Sequence, residues 1–157
     1  MATIVHLQDL KTALPGKSEG GIVLAGGCFD ILHVGHVKFL SEARAMGNYL
    51  VVLLESDEKV RELKGENRPV FNQRERAQML AALRSVDLVI LLPMLEDDCD
   101  YLNVVIKIKP DIIAVTENDP LIENKKDQAK KVGGELRVIS LMEPYSTSKL
   151  ARILGVD

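Results

Sequence analysis

The stretch GIVLAGGCFDILHVGHVKFL, residues 21 to 40, decides the fold class of this chain. Its first part is an apolar run, typical of a buried β-strand, that ends in Gly26 and Gly27. A helical pattern follows, with apolar residues at helical spacing from Val34 to Met46. A buried strand that passes through a glycine turn into a helix is typical of the first unit of an α/β fold.

The same alternation continues along the remaining sequence. Apolar runs predict four further strands in YLVVLLES, VDLVILL, DIIAV and ELRVIS, with helices between them and a last helix after YSTS. This order predicts a doubly wound, Rossmann-like α/β fold, in which a five-stranded parallel sheet carries helices on both faces. We expect a single domain over residues 1–157, in which residues 1–20 form a helix and loop ahead of the first strand.

Composition and charge exclude several classes of function. Of 157 residues, 46% are hydrophobic and 27% are charged, and the net charge of −3 argues against general nucleic-acid binding, which requires a basic face. The longest nearly apolar run, from Val86 to Leu95, is too short to cross a bilayer. The N-terminus lacks the features of a signal peptide, and Cys28 and Cys99 are expected to be reduced thiols. We therefore predict a cytoplasmic protein with no membrane partner.

Two histidines, His33 and His36, follow the glycine pair and flank Gly35. In a doubly wound sheet, ligands bind beyond the carboxyl ends of the strands, which is where this segment is expected to lie. Glycines let the backbone approach a ligand closely, and a helix N-terminus presents free amides and a positive dipole end that suit phosphate. The imidazoles add ring donors, and Gly35 leaves room for an oxygen-rich group. The segment therefore predicts a binding site for a phosphate chain.

The segment also resembles the HxGH motif of the nucleotidyltransferase superfamily, and GGCFDILHVGHVKFL is similar to its cytidylyltransferase-like branch. Three further blocks resemble that branch in the same order: SDEKVRELKGENRPV, RERAQMLAALRSVD and YSTSKL. The likeness runs from about Ile22 to Ile153, and it is greatest to the heptose 1-phosphate adenylyltransferases, with the glycerol-3-phosphate cytidylyltransferases next. Class I aminoacyl-tRNA synthetases share the bare motif but are far longer chains.

The resemblance implies an enzyme that transfers a nucleoside monophosphate from ATP or CTP to a phosphorylated small molecule and releases pyrophosphate. A sugar 1-phosphate such as heptose 1-phosphate is the first choice of acceptor. The alternatives are a glycerol- or alcohol-phosphate cytidylyltransferase, a flavin or pantetheine adenylyltransferase, and a nucleotide-binding module without turnover. Magnesium, held mainly by the nucleotide phosphates, is the implied cofactor, with no metal ligand expected from the chain. Relatives of this kind commonly dimerise, which implies a homodimer.

The family pattern also implies roles for individual residues. The residues implied to be catalytic are His33, His36, Lys64 and Arg76. Those implied to bind the nucleotide or its phosphates are Gly26, Gly27, Cys28, Phe29, Gly35, Ser146, Thr147 and Ser148. Secondary candidates, for acceptor contact or for shaping a loop, are Asp30, Lys38, Arg68 and Asp119.

A structural role, rather than contact with a ligand, could also explain several of these residues. Phe29 is expected to pack in the core, and Asp30 to fix the histidine turn rather than touch substrate. Hydroxyls before the last helix would cap it in any protein. For Asp57 and Asp87, helix capping or turn formation is as good an explanation as a role in the binding site.

The stretch VTENDPL, residues 115 to 121, departs from the family pattern. Relatives carry a GGDY-like or GDDW-like turn at this place, after the fourth predicted strand. The aspartate of these turns corresponds to Asp119. The glycine and the aromatic residue are absent, and Asn118 and Pro120 lie near their positions. Asparagine adopts the left-handed conformation more readily than most residues, so the turn can persist. Because this loop approaches the nucleotide and the acceptor in the relatives, the sequence does not decide between ATP and CTP or identify the acceptor.

Overall fold

The structure is a computed structural model that describes residues 1–16, 21–140 and 147–155, with the backbone alone for residues 147 and 148. Over these residues it contains a sheet of six strands: β1 (Thr3–His6), β2 (Ile22–Gly27), β3 (Tyr49–Leu54), β4 (Leu88–Leu91), β5 (Ile112–Thr116) and β6 (Glu135–Ile139). The helices are α1 (Leu10–Ala13), α2 (Val34–Ala45), α3 (Asp57–Lys64), α4 (Gln73–Ala81), α5 (Asp98–Ile108), α6 (Ile122–Lys131) and α7 (Thr147–Leu154). A short 3-10 helix, Leu7–Asp9, joins β1 to α1.

All neighbouring strands run parallel, in the order β1-β4-β3-β2-β5-β6. From β2 the chain builds the sheet outward through β3 and β4 on one side, and through β5 and β6 on the other. The point where the strand order reverses therefore lies between β2 and β5, and ligands bind in the crevice at such a point. The predicted doubly wound α/β fold is confirmed.

The apolar side chains of β3 show how both faces of the sheet are covered. Leu50, Val52 and Leu54 belong to the core beneath α2 and α4, whereas Val51 and Leu53 belong to the core beneath α1, α5 and α6. All five side chains are buried. Successive strand residues point to opposite faces, so a continuous apolar run such as YLVVLL is typical of a strand that is covered on both sides.

The sheet has six strands rather than the predicted five, because the N-terminal segment contributes β1 at one edge. This strand pairs in parallel with β4, with Thr3 opposite Leu88 and His6 opposite Leu91. The expectation of a helix and loop over residues 1–20 was therefore wrong for this stretch, although the short helix α1 does follow. The side chains of β1 are mostly exposed, so no apolar alternation marks the strand in the sequence.

Local side-chain bonds fix where the helices begin. Ser56 Oγ accepts from Lys59 N at 3.1 Å before α3, and Asn72 and Glu75 form a reciprocal capping box at the start of α4.

Asp87 has a structural role, since it accepts from Leu50 N at 2.7 Å and pairs with Arg44 on α2 at 2.8 Å. Across the described residues, no helix is long and apolar enough to cross a membrane.

Candidate active site

The carboxyl end of β2 passes directly into the turn that the glycines predict. Glu55 N donates to Gly27 O at 3.2 Å, which holds the ends of β2 and β3 together. Phe29 then takes a left-handed conformation with φ of 44°, and its buried ring folds back toward the strand end. A Cβ atom on Gly27 would lie 3.1 Å from that ring, so any larger residue there would require the Phe29 ring to shift by a few tenths of an ångström.

The structure brings His33 and His36 together as a stacked pair at the start of α2. Their ring centroids lie 3.9 Å apart with an interplanar angle of 27°, and the Phe29 ring meets His36 edge-on at 5.2 Å. His33 is the N-cap residue, and its Nδ1 accepts from Gly35 N at 3.1 Å. A neutral imidazole that accepts at Nδ1 carries its proton on Nε2. His33 therefore holds a fixed Nε2–H donor, while the Gly35 amide is occupied.

Both histidines are neutral at pH 7. Burial lowers the pKa of His36 to about 3, and repulsion from a protonated His33 and from the Lys64 ammonium adds to the effect. Burial also lowers the pKa of His33. The Nδ1 atom of His36 is buried and has no hydrogen-bond partner within the described part of the chain. A buried polar atom without a partner is costly unless a ligand or water pairs with it. The pair is thus suited to a polar ligand.

Lys64, the last residue of α3, places a positive charge beside this pair. Its ammonium lies close enough to lower the pKa of His36, and it also acts on the pKa of the Cys28 thiol, which burial raises. Gly65 ends α3 with φ of 101°, a conformation that favours glycine. Lys64 thus lies within electrostatic range of His36 and Cys28 at the carboxyl edge of the sheet, where His33 and His36 are stacked.

Arg76 is the predicted catalytic residue whose position argues against direct contact with phosphate. Its side chain is fully buried, and its guanidinium donates to the main-chain oxygens of Cys28, Phe71 and Glu55. It also pairs with the Asp57 carboxylate at 2.7 Å. The guanidinium therefore joins the β2 turn, the end of β3 and the starts of α3 and α4. Arg76 is a positioning residue rather than a phosphate ligand.

Asp30 and Arg68 form a second buried pair, with 1% and 2% of their surface exposed. Asp30 also accepts from Val70 N at 2.8 Å and from Phe71 N at 3.4 Å. Asp30 was expected to fix the histidine turn, whereas its carboxylate ties residues 68–71 to the segment after β2. The suggested contact between Arg68 and the acceptor is not supported, because the guanidinium is enclosed against Asp30.

The loop after β5 is organised by Asp119. Its carboxylate accepts from Leu121 N at 2.8 Å and pairs with Lys125 Nζ at 2.6 Å. Among the residues described, the non-glycine residues with positive φ are Phe29 and Lys109, so Asn118 does not replace a left-handed glycine. A turn does persist, since Asp119 N donates to Thr116 O at 3.1 Å, but it forms without the left-handed conformation that was expected of Asn118. Asp119 shapes the loop, and its contact with the acceptor stays a prediction.

The structure does not test the predicted ligand contacts of four further residues. Lys38 is exposed on α2, so its suggested contact with the acceptor stays a prediction. Ser146 lies outside the described residues. Thr147 and Ser148 open α7, where only the backbone is described, and the suggested triphosphate contact of these hydroxyls also stays a prediction.

Sequence reasoning missed a carboxylate at this edge of the sheet. Glu55 directly follows β3, and the Tyr101 hydroxyl on α5 donates to both of its carboxylate oxygens, each at 3.1 Å. Burial raises the pKa of Glu55, and burial together with the Glu55 charge raises the pKa of Tyr101. A signal for Glu55 was present, since it is a charged residue placed directly after the apolar run YLVVLL at a carboxyl strand end.

The buried His36 predicts that the fold loses stability in mild acid. Because its pKa in the folded state is about 3 against an ordinary 6.5, the unfolded chain binds the extra proton between these values. The stabilisation is full above pH 6.5 and is lost as pH falls toward 3, at about 1.4 kcal/mol per unit as an upper limit. Urea unfolding of wild type and His36→Gln at pH 7 and pH 5 measures it. A wild-type loss no larger than that of the variant would contradict the burial of this imidazole.

A glycine turn, a helix N-terminus and paired imidazoles at the switch point of a doubly wound sheet define a nucleotide-binding α/β protein. Residues 24–152 match the family model described as cytidylyltransferase-like. The chain belongs to the cytidylyltransferase-like family, and with it to the nucleotidyltransferases. The resemblance seen in the sequence and the prediction of a nucleotidyltransferase are both confirmed.

Curated relatives support the same family. The bifunctional protein HldE of Citrifermentans bemidjiense is 42% identical over 151 residues, and that of Campylobacter concisus is 38% identical over 151 residues. The matches cover 94% and 93% of this chain but 30% and 29% of the two relatives. The chain thus spans less than one third of the length of these bifunctional proteins.

Solved structures agree on the fold. A lipopolysaccharide core biosynthesis protein from Thermoplasma volcanium is 29% identical, with a TM-score of 0.64 over 80% of this chain and 99% of that chain. A pantoate-beta-alanine ligase from Francisella tularensis is 16% identical, with a TM-score of 0.62 over 92% of this chain and 69% of that one. The second similarity concerns the fold alone.

Proposed function

We propose that this chain transfers a nucleoside monophosphate from ATP or CTP to a sugar 1-phosphate and releases pyrophosphate. ATP and heptose 1-phosphate are the first choices, because the sequence most resembles the heptose 1-phosphate adenylyltransferases. The observation that carries the proposal is the stacked, neutral pair of His33 and His36, with Lys64 beside it at the N-terminus of α2. The proposal includes a cytoplasmic location and a homodimer, as the resemblance implies.

The proposed step needs little chemistry from the protein. An oxygen of the acceptor phosphate attacks the α-phosphorus of the nucleotide, and the bond from that phosphorus to the bridging oxygen of the β-phosphate breaks. Because the acceptor phosphate is already an anion at neutral pH, no strong general base is required. Catalysis then consists of positioning and of stabilising the charge that develops on the departing pyrophosphate.

The residues near the β2 turn fit these two tasks. His33 offers its Nε2–H, and a neutral His36 offers one ring N–H, to oxygens of the α- and β-phosphates. Neutral rings avoid the cost of burying two stacked imidazolium ions before the nucleotide arrives. Lys64 supplies the positive charge that balances the triphosphate, and Gly26 and Gly27 allow close approach of the backbone.

Magnesium is part of the proposal through the nucleotide rather than through the chain. Nucleotide phosphates supply the hard oxygen ligands that this ion prefers, and it usually keeps several waters. In the described residues there is no group of three or more His, Cys, Asp or Glu side chains placed to hold a metal ion. We assign magnesium to the phosphates, where it would neutralise charge on the leaving group.

Pyrophosphate release tests the proposed function. The protein is mixed with magnesium, either ATP or CTP, and a panel of sugar 1-phosphates, glycerol 3-phosphate, alcohol phosphates, flavin mononucleotide and phosphopantetheine. Release that requires a sugar 1-phosphate and is fastest with ATP is the expected result. Release with glycerol 3-phosphate or an alcohol phosphate and CTP would favour a cytidylyltransferase instead. Release with flavin mononucleotide or phosphopantetheine would favour the corresponding adenylyltransferase.

The changed loop after β5 favours one further candidate, a nucleotide-binding module without turnover. Asp119 is held by Leu121 N and Lys125, in a loop that lacks the family's glycine and aromatic residue. Such a module would be stabilised by nucleotide, by about 2.7 kcal/mol at a hundredfold excess over Kd, and would release no pyrophosphate with any acceptor. Thermal unfolding measured beside the release assay separates the two functions.

A further inference from the structure

We propose that the carboxylate of Glu55, oriented by the Tyr101 hydroxyl, binds hydroxyl groups of the acceptor and makes the site specific for a polyhydroxylated phosphate monoester. This inference rests on the proposed function and adds a specificity residue to it. The HxGH turn would hold the reacting phosphates, and Glu55 would recognise the part of the acceptor that does not react.

The main chain places Glu55 at the phosphate turn. Its N–H donates to Gly27 O at 3.2 Å, and its carbonyl oxygen accepts from Arg76 Nη2 at 2.9 Å. Its charge acts on the Cys28 thiol, one residue beyond the glycine pair. An acceptor whose phosphate oxygen attacks at this turn therefore brings its sugar ring into the neighbourhood of the Glu55 side chain.

The carboxylate has unused capacity to accept hydrogen bonds. An ionised carboxylate offers about four lone-pair positions. The Tyr101 hydroxyl has one proton to share between Oε1 and Oε2, and within the described residues no other group donates to either oxygen. Glu55 is half-buried, so a bound acceptor can reach it while bulk water is partly excluded. Sugar hydroxyls are the donors that would complete its hydrogen bonds.

The charges around Glu55 favour a hydroxyl over an ammonium group as the partner. Lys59, Lys125 and Arg76 all lie near enough to act on this carboxylate, so a further cation would enter a region that already holds three positive charges. A further cation would gain little there, whereas a neutral hydroxyl gains a charge-assisted hydrogen bond. A second anionic group on the acceptor would be repelled by the same carboxylate. The expected acceptor thus carries hydroxyls and a single phosphate.

The test compares Glu55→Gln and Tyr101→Phe with wild type in pyrophosphate release, using hexose and heptose 1-phosphates and analogues that each lack one hydroxyl. Glu55→Gln is expected to raise the KM for the sugar 1-phosphate about ten- to a hundredfold, as for loss of a bond to a charged group. The KM for ATP should change less than about twofold, and Tyr101→Phe should give a smaller rise in acceptor KM. Glu58→Gln, an exposed carboxamide variant on α3, is the matched control and should behave as wild type.

The deoxy analogues identify the hydroxyl. In wild type, removing the recognised hydroxyl should weaken the acceptor about tenfold or more, and in Glu55→Gln the same removal should have little effect. An unchanged acceptor KM in an active Glu55→Gln variant overturns the inference and leaves the proposed function standing. A preference of wild type for amino-alcohol phosphates, lost in Glu55→Gln, also overturns it.

If wild type releases no pyrophosphate with any pair of substrates, the proposed function is wrong, and the role of Glu55 needs a separate test. Calorimetric titration of hexose 1-phosphate into the nucleotide-bound protein then decides the role of Glu55. Weaker binding to Glu55→Gln than to wild type supports the inference, and equal binding or no binding overturns it.

Discussion

Replacing His36 with alanine is expected to lower kcat for nucleotidyl transfer about 10²–10³-fold, which corresponds to about 3–4 kcal/mol of barrier. The ring is held in place by its stack on His33 and its edge contact with Phe29, so it is a preorganised donor rather than a mobile one. A donor that is fixed before the reaction stabilises charge in the transition state without having to reorganise. Steady-state pyrophosphate release at saturating ATP and acceptor measures the effect.

The same variant separates catalysis from folding. In the described structure the buried Nδ1 of His36 has no hydrogen-bond partner, so alanine removes no hydrogen bond that the fold uses. We expect the melting temperature at pH 7 to stay close to that of wild type and the KM for ATP to rise only a few-fold. His6→Ala, at the exposed end of β1, is the matched histidine control. A kcat of His36→Ala near that of wild type would remove the histidine pair from the chemistry.

The part of the site that lies on one continuous segment could be predicted from the sequence. Gly26, Gly27, His33 and His36 belong to a single strand–turn–helix unit, so their spacing alone determines which of them meet. Lys64 lies on another helix, and only the family pattern indicated that it approaches the histidines. Contacts between distant segments have no local signature, so the contact of Glu55 with Tyr101 could not be predicted, although the place of Glu55 directly after YLVVLL was a signal for the residue itself.

The arginines show the same limit, together with a signal that could have been used. Arg76 shares the buried face of α4 with Ala77, Leu80 and Ala81, whereas Arg74 is exposed. Helical periodicity therefore predicts that Arg76 points into the protein. Periodicity could not predict its partners, because main-chain oxygens at the ends of three other segments carry no sequence signal. The edge strand β1 was missed for a related reason, since its side chains are mostly exposed and it joins the sheet through backbone bonds to β4.

Replacing Arg76 with methionine is expected to destabilise the fold by about 3–5 kcal/mol, the usual cost of breaking a buried charged pair. Methionine retains much of the volume and removes every donor. The main-chain oxygens of Cys28, Glu55 and Phe71 lose their donor, and Asp57 loses its cation. Since small domains are stable by about 5–15 kcal/mol, this loss is a large share of the total. Urea unfolding followed by circular dichroism measures it.

The matched control is Arg74→Met, two residues earlier on the exposed face of α4, which should change stability by less than about 0.5 kcal/mol. Arg76→Lys should recover part of the loss, because an ammonium can pair with Asp57 but cannot reach four oxygens that diverge around a planar guanidinium. If Arg76→Met instead unfolds like wild type and loses only activity, the guanidinium leaves its buried position to contact phosphate, and its role is catalytic. If stability falls as expected, any loss of activity follows from misplaced ends of β2 and β3, because Arg76 holds the turn from which the histidine pair is presented.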